Sequence, residues 1–440
     1  MQSKVHMKRY ILSLLVLMAA SVGASAQAAW TLQECIDYAL ENNIQLQLKQ
    51  ITEQSSQVDV AQSRAALYPT LNFSNGNNLS FQNTASYNEY NEEGNNASLQ
   101  SSFRLNSGMT LYQGGKLLNN IRKAKVNAQA AGYDVEQQKF DLEEDIITAY
   151  LQILYDKESL TLKEDAARLS KIEMDRGQQM YDAGAISKVE LKQFTSQNAS
   201  DNYAVVVAGN TLEVDRLRLK QMLELGIDDE FDIAYDDMDY VSLEALPTLH
   251  EAYEAALETL PQMHSSELDV EATKYALAIA KGSYLPTVSL GAGVGTSYMS
   301  GTGIGFLEQL NKKLSESLSL NVSVPILDGR QTRSSVDKAK LNLESAELQN
   351  ESVKKQILST VESVYNDAVA AAAQMESAQV QMEQAEESYN LASEQFAAGI
   401  KNTVELLTAL NNYRNASSSL LQARYKALLS EKILNLYMNK

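Results

Sequence analysis

The chain has 440 residues, 44% of them hydrophobic, with 37 Lys and Arg against 56 Asp and Glu, a formal net charge of −19. Such acidity disfavours binding to nucleic acid or to an anionic membrane surface. A single cysteine rules out an internal disulfide, so packing or assembly must hold an exported chain together.

Lys8 and Arg9 precede the apolar run Tyr10–Ala20 and the small-residue box Ala24-Ser25-Ala26, the pattern of a secretory signal peptide over residues 1–26 with Gln27 as the mature start. Cys35 lacks the small-residue box that precedes a lipid-modified cysteine. No later stretch reaches the roughly 18 consecutive apolar residues of a membrane-spanning helix, so the exported chain is soluble or spans as a β-barrel.

Thr31-x-x-Glu34 is a capping-box pattern ahead of Ile36, Ala39 and Leu40, and predicts a helix running to about Ala66. Near Pro69 the period changes to two. Leu71 and Phe73, then Phe103, Leu105, Met109 and Leu111, alternate with polar residues or glycine, predicting strands at about 67–82 and 98–113. The polar stretch Gln82–Ala97 is read as a loop between them. After Gly114-Gly115 the chain stays helix-compatible to about Tyr181, roughly 100 Å at 1.5 Å per residue. Tyr181–Glu190 reads as a helical hairpin, with Gly184 in the left-handed position after the first helix and Ser187-x-x-Glu190 capping the returning one.

The pattern then repeats. Ala39-Leu40-Glu41 is echoed by Ala256-Leu257-Glu258 and Pro69-Thr70 by Pro286-Thr287, both 217 positions on (39 to 256, 69 to 286); Ala183-Gly184 is echoed by Ala398-Gly399, 215 on (183 to 398). One large unit is used twice, dividing the mature chain into 27–240 and 241–440. The second copy predicts strands at about 284–299, from Val288, Leu290, Ala292 and Val294, and at about 314–328, from Leu318, Leu320, Val322, Val324 and Ile326, with the Gly-rich stretch Tyr298–Gly305 as a loop. Its long helix carries Ile357, Val361, Val364, Ala368, Ala371, Met375, Ala378, Met382, Ala385, Tyr389, Ala392 and Phe396 at alternating spacings of four and three, a coiled-coil seam. Its turn, at about 396–404, repeats the first with Gly399, Asn402 and Glu405.

Four strands with one apolar face are too few to close a barrel and would leave open edges in lipid, so several chains must share one barrel. The fold class is mainly α with a membrane β-barrel part. A catalytic reading has little support. His6 leaves with the signal, and His250 and His264 lack metal-ligand spacing. Gly291-x-Gly293-x-Gly295 lies within an alternating strand rather than before a helix, so it reads as barrel packing. The acidic clusters Asp228-Asp229-Glu230 and Asp236-Asp237 lack a calcium-loop pattern. No cofactor, metal or nucleic-acid partner is expected.

Together these residues resemble the TolC family of outer-membrane factors. The carriers are Leu32, Cys35, Ile36, Ala39, Leu40 and Asn43 of the opening helix, the junctions Leu67-Tyr68-Pro69 and Tyr284-Leu285-Pro286, the run Leu111-Tyr112-Gln113-Gly114-Gly115, and the two Gly-centred turns. The resemblance implies a homotrimer in outer-membrane lipid of a Gram-negative type cell, with a shared twelve-stranded barrel and an α-helical tunnel extending into the periplasm. It implies an exit duct fed by a periplasmic membrane-fusion adaptor and an inner-membrane pump of RND or ABC type. It places Asp228–Asp239 and Val241–Pro247 around the tunnel's middle, and an adaptor on Ala183-Gly184-Ala185 and Ala398-Gly399-Ile400. It places a gate at Glu190, Phe396, Lys401 and Glu405; from their charges, Glu190 or Glu405 is expected to pair with Lys401 when the channel is closed. Phe396 stands where the family can have tyrosine, and Thr408 where it has a second aspartate. The competing reading is a non-channel periplasmic coiled-coil scaffold.

Overall fold

Most helices in this chain stop where Pro, Gly or a capping side chain intervenes. The computed structural model describes residues 29–82, 96–235 and 247–438. The expected signal peptide, the core of the polar loop after residue 82, and Asp236–Asp239 with most of Val241–Pro247 lie outside the described residues. Along the chain come α1 (Leu32–Asn42), α2 (Ile44–Ala65), β1 (Thr70–Gln82), β2 (Asn96–Gln113), α3 (Lys116–Asp182) and α4 (Lys188–Met222). Then follow α5 (Leu249–Thr259), α6 (Pro261–Lys281), a single 3-10 turn (Gly282–Tyr284), β3 (Thr287–Met299), α7 (Phe306–Lys312), β4 (Ser315–Ser323), α8 (Gln331–Ala397) and α9 (Thr403–Tyr437). Both long helices, α3 and α8, have 67 residues.

The chain divides into two units. One comprises Lys49–Glu136 and Pro261–Lys355; the other is the remainder. The first holds a single antiparallel sheet in the order β1-β2-β3-β4. Leu71, Phe73, Leu105, Leu290, Val294, Leu318 and Leu320 share one face, and all are exposed. Beneath the sheet two chain crossings meet backbone to backbone: a Cβ on Gly114 would stand 2.2 Å from the Gly282 carbonyl oxygen, and Gly114 has φ +59. The Gly114-Gly115 pair is therefore required by contact as well as by conformation.

Three features depart from the sequence expectations. β4 ends at Ser323 although alternation continues to Ile326, because Pro325 has no N–H to give a ladder. The Gly-rich loop is followed by α7, whose buried Gln309 amide donates to the Met299 and Ile304 carbonyls at 2.9 and 2.8 Å while its carbonyl accepts from Met299 N at 3.0 Å. And the first helix breaks at Asn43, with ψ 125, where the side-chain oxygen caps Gln45 N and Leu46 N at 3.0 and 3.1 Å and the amide donates to the Met222 carbonyl at 3.2 Å.

In the second unit the α8 seam is realised: Ile357, Val361, Ala368, Ala371, Ala378, Tyr389, Ala392 and Phe396 are buried, and Val364, Met375, Met382 and Ala385 half-buried. Trp30 bridges Ile233, with the buried Tyr150 hydroxyl 3.1 Å from the Trp30 carbonyl and 3.0 Å from that of Ala234. Lys157 holds Asp232 at 2.7 Å, so part of the acidic stretch is engaged in ion pairing.

Candidate functional site: the paired hairpin tips

Each tip is built by its own backbone. After α3, Gly184 N donates to Tyr181 O at 2.9 Å and Ala185 N to Met180 O at 2.8 Å, with Gly184 at φ +76. After α8, Gly399 N donates to Phe396 O at 3.0 Å and Ile400 N to Gln395 O at 2.9 Å, with Gly399 at φ +74. A Cβ on either glycine would meet nothing within 4 Å. Conformation alone requires these glycines, and the surface above them is open. Ala183, Gly184, Ala185, Ala398, Gly399 and Ile400 are all exposed, Ile400 at 74%.

The returning helices begin with complete capping boxes. Ser187 N donates to Glu190 Oε2 at 2.7 Å and Glu190 N to Ser187 Oγ at 3.3 Å. Asn402 N donates to Glu405 Oε2 at 3.0 Å and Glu405 N to Asn402 Oδ1 at 3.0 Å. The tips are also joined: Thr403, fully buried, donates from Oγ1 to Glu190 Oε1 at 3.3 Å. The Ser187 backbone N–H, then its hydroxyl, and after them Thr403 hold the Glu190 carboxyl below the usual range.

Beneath lies one apolar cluster of Phe194, Tyr389, Phe396, Leu406 and Leu410. Phe396 meets Phe194 edge-on, with ring centroids 6.1 Å apart, and carries the Arg176 guanidinium over its ring at 5.7 Å. Tyr389 stacks on Tyr413 at 5.8 Å. Phe396 is only 3% exposed, so within one chain it is a core residue under the turn. Glu173, also buried, has an Oε2 atom without a hydrogen-bond partner among the described residues, and burial pushes its carboxyl up, with Arg176 opposing.

Of the four expected gate residues, the structure thus puts Glu190 into a link between the tips and Phe396 into the core. It leaves Glu405 exposed and, among the described residues, engaged only in its own cap, and Lys401 half-exposed. Among the described residues Lys401 pairs with neither glutamate. Thr408, also exposed, donates to the Val404 carbonyl at 2.7 Å. The sequence reading missed Thr403 and Arg176; Thr403 occupies the place 215 positions after Lys188, and that mismatch between the copies was the available signal.

The sequence family described as outer membrane efflux protein matches residues 35–224 and 252–440. No curated protein matches the chain significantly. Among solved structures, the outer membrane protein VceC of Vibrio cholerae has 15% identity and a TM-score of 0.78, over 92% of this chain and 95% of that one. The CmeC outer membrane channel of Campylobacter jejuni has 18% identity and a TM-score of 0.79, over 92% and 85%. The open MtrE outer membrane channel of Neisseria gonorrhoeae has 18% identity and a TM-score of 0.70, over 92% and 88%.

Proposed function

The chain belongs to the outer membrane efflux protein family, a family of transport channels and not of enzymes, and on that premise we propose that three copies close one outer-membrane pore that serves as a passive exit duct. The observation that carries this reading is the sheet. Its order leaves β1 and β4 at the edges, and an unpaired backbone group in hydrocarbon costs several kcal/mol. Neighbouring copies supply the missing strands, and the apolar face meets lipid. The cargo enters from a periplasmic adaptor and an inner-membrane pump of RND or ABC type, with the adaptor seated on the open surfaces around Gly184 and Gly399. Lys401, without a carboxylate partner among the described residues, pairs in the closed state with a tip glutamate.

Purified in detergent, the protein should have the mass of a trimer by light scattering and give discrete conductance in planar bilayers. A single monodisperse subunit without pores, released from membranes by a salt wash, would sink the duct and support the scaffold. For the tips, crosslinked pull-downs from native membranes should lose the adaptor on Ile400→Asp while the melting midpoint stays unchanged; retained capture removes the tip from the docking site. Unchanged conductance and cation preference in both Lys401→Ala and Glu405→Gln would remove those residues from the gate.

A further inference from the structure

If the apolar face of the sheet meets lipid, the opposite face lines the lumen, and register fixes its residues. Ser74, Arg104, Gly295 and Ser315 form one cross-strand row. Among the described strand residues the charged ones are Arg104 and Glu316. Glu316 pairs with Val294, which pairs with Leu105, so it stands on the apolar face, one residue into an edge strand. Arg104 is therefore the charged residue of the polar face.

Its surroundings leave that charge unneutralised. A Cβ on Gly295 would lie 3.5 Å from Arg104 Cγ, so the arginine stem rests on bare backbone and its head extends beyond. The Gly295 carbonyl is taken by Ser315 Oγ at 3.1 Å, and those of Gly293 and Gly291 by Ser317 and Ser319 at 3.4 Å each. The neighbouring wall is thus small, neutral and internally satisfied. Arg104 is exposed, with no ion pair to any described residue.

We propose that Arg104 places one fixed positive charge per subunit in the lumen of the outer barrel, and that the assembled ring selects for anions at that level. The inference rests on the duct reading and adds to it a filter opposite in sign to the exposed tip carboxylate of Glu405. Rings of arginine favour anionic permeants. Three unit charges about 10 Å from the axis, screened over a Debye length of about 10 Å at 0.1 M salt, raise the local anion concentration about twofold and lower that of cations equally. The anion-to-cation permeability ratio then changes about fourfold, and hardly at all at 1 M, where the Debye length is about 3 Å.

The test is the reversal potential of single channels of the full chain in a potassium chloride gradient. Arg104→Gln should lower the ratio about fourfold at 0.1 M, and Arg104→Lys should retain it. Arg104→Cys should lower it, recover with a cationic thiosulfonate and fall further with an anionic one. Cys35 is fully buried, so the introduced thiol reacts alone. Conducting pores whose ratio ignores the Gln change, or an introduced thiol that water-soluble reagents cannot reach, would overturn the proposal. If the parent itself forms no pores, the duct reading fails first and this inference falls with it.

Discussion

Arg414 on α9 and Asp201 on α4 form an ion pair at 2.8 Å with side chains only 13% and 12% exposed. Arg414 also donates to the Ala166 carbonyl at 2.8 Å on α3, and Gln197 donates to the other Asp201 oxygen at 3.0 Å. Helices of both hairpins meet at this point. Replacing Arg414 with Met leaves Asp201 buried without its counter-charge, a change that costs about 3–5 kcal/mol. The lower half of that range applies here, because Gln197 remains and because the buried Arg414 Nε has no partner to lose among the described residues. At about 2–4 °C per kcal/mol for a unit of this size, the melting midpoint followed by far-ultraviolet circular dichroism should fall by roughly 10 °C. Adding Asp201→Asn removes the stranded charge, and the double variant should return to within about 1 kcal/mol of the parent. A double variant no more stable than Arg414→Met alone would refute the reasoning, since the loss would then come from packing and not from charge.

Asp156 is buried, its Oδ2 has no donor among the described residues, and burial followed by its neighbour Asp215 pushes its pKa up to about 7. The folded chain therefore binds more protons than the unfolded one between about pH 4 and 7, and stability falls as pH rises through that window. Asp156→Asn should remove the slope, adding roughly 2–4 kcal/mol at pH 8 and nothing at pH 4; equal slopes in parent and variant would contradict this. Gly114→Ala, which combines φ +59 with an approach of 2.2 Å to the Gly282 carbonyl, should abolish folded protein in the membrane fraction. Gly184→Ala, with φ +76 and open space, should cost only about 1–2 kcal/mol, read as a shift of the melting midpoint.

Local chemistry carried most of the legible structure. The boxes at Thr31, Ser187 and Asn402 form as written because a cap needs only residues three apart. The α8 seam and the alternation of β1 to β4 were readable because burial on one side leaves a period. The break at Asn43 was not, since an Asn inside a helical pattern reads as a weak helix former until its side chain is seen bonding to Met222, 179 residues away. At the place 217 positions on, the second copy makes the same break with Leu260-Pro261, which does announce itself. Helix α7 has seven residues, too few for a helical period, and depends on the Gln309 side chain to hold the preceding loop. At the tips both turns were legible, whereas the fate of Phe396 and the Thr403 link were set by packing between hairpins.

That link decides which tip glutamate can act in a gate. Glu190 has both oxygens engaged, Oε2 by Ser187 and Oε1 by Thr403, and those donors favour its charged form. Any link to a cation must compete with bonds already made inside the chain. Glu405 uses Oε2 for its cap, and its other oxygen accepts no hydrogen bond from the described residues; Lys188, at the place equivalent to Thr403, is exposed and makes no described contact with it. The duplication has diverged so that one carboxylate is structural and the other is exposed. Glu190→Gln should then cost up to about 1 kcal/mol of stability through a weakened cap, read as a lower melting midpoint, and leave cation preference in planar bilayers unchanged. Glu405→Gln should reduce cation preference, most visibly at low salt, with a smaller loss of stability. The opposite assignment, with conductance following Glu190 and stability following Glu405, would mean that assembly breaks the Thr403 bond and releases Glu190 into the pore.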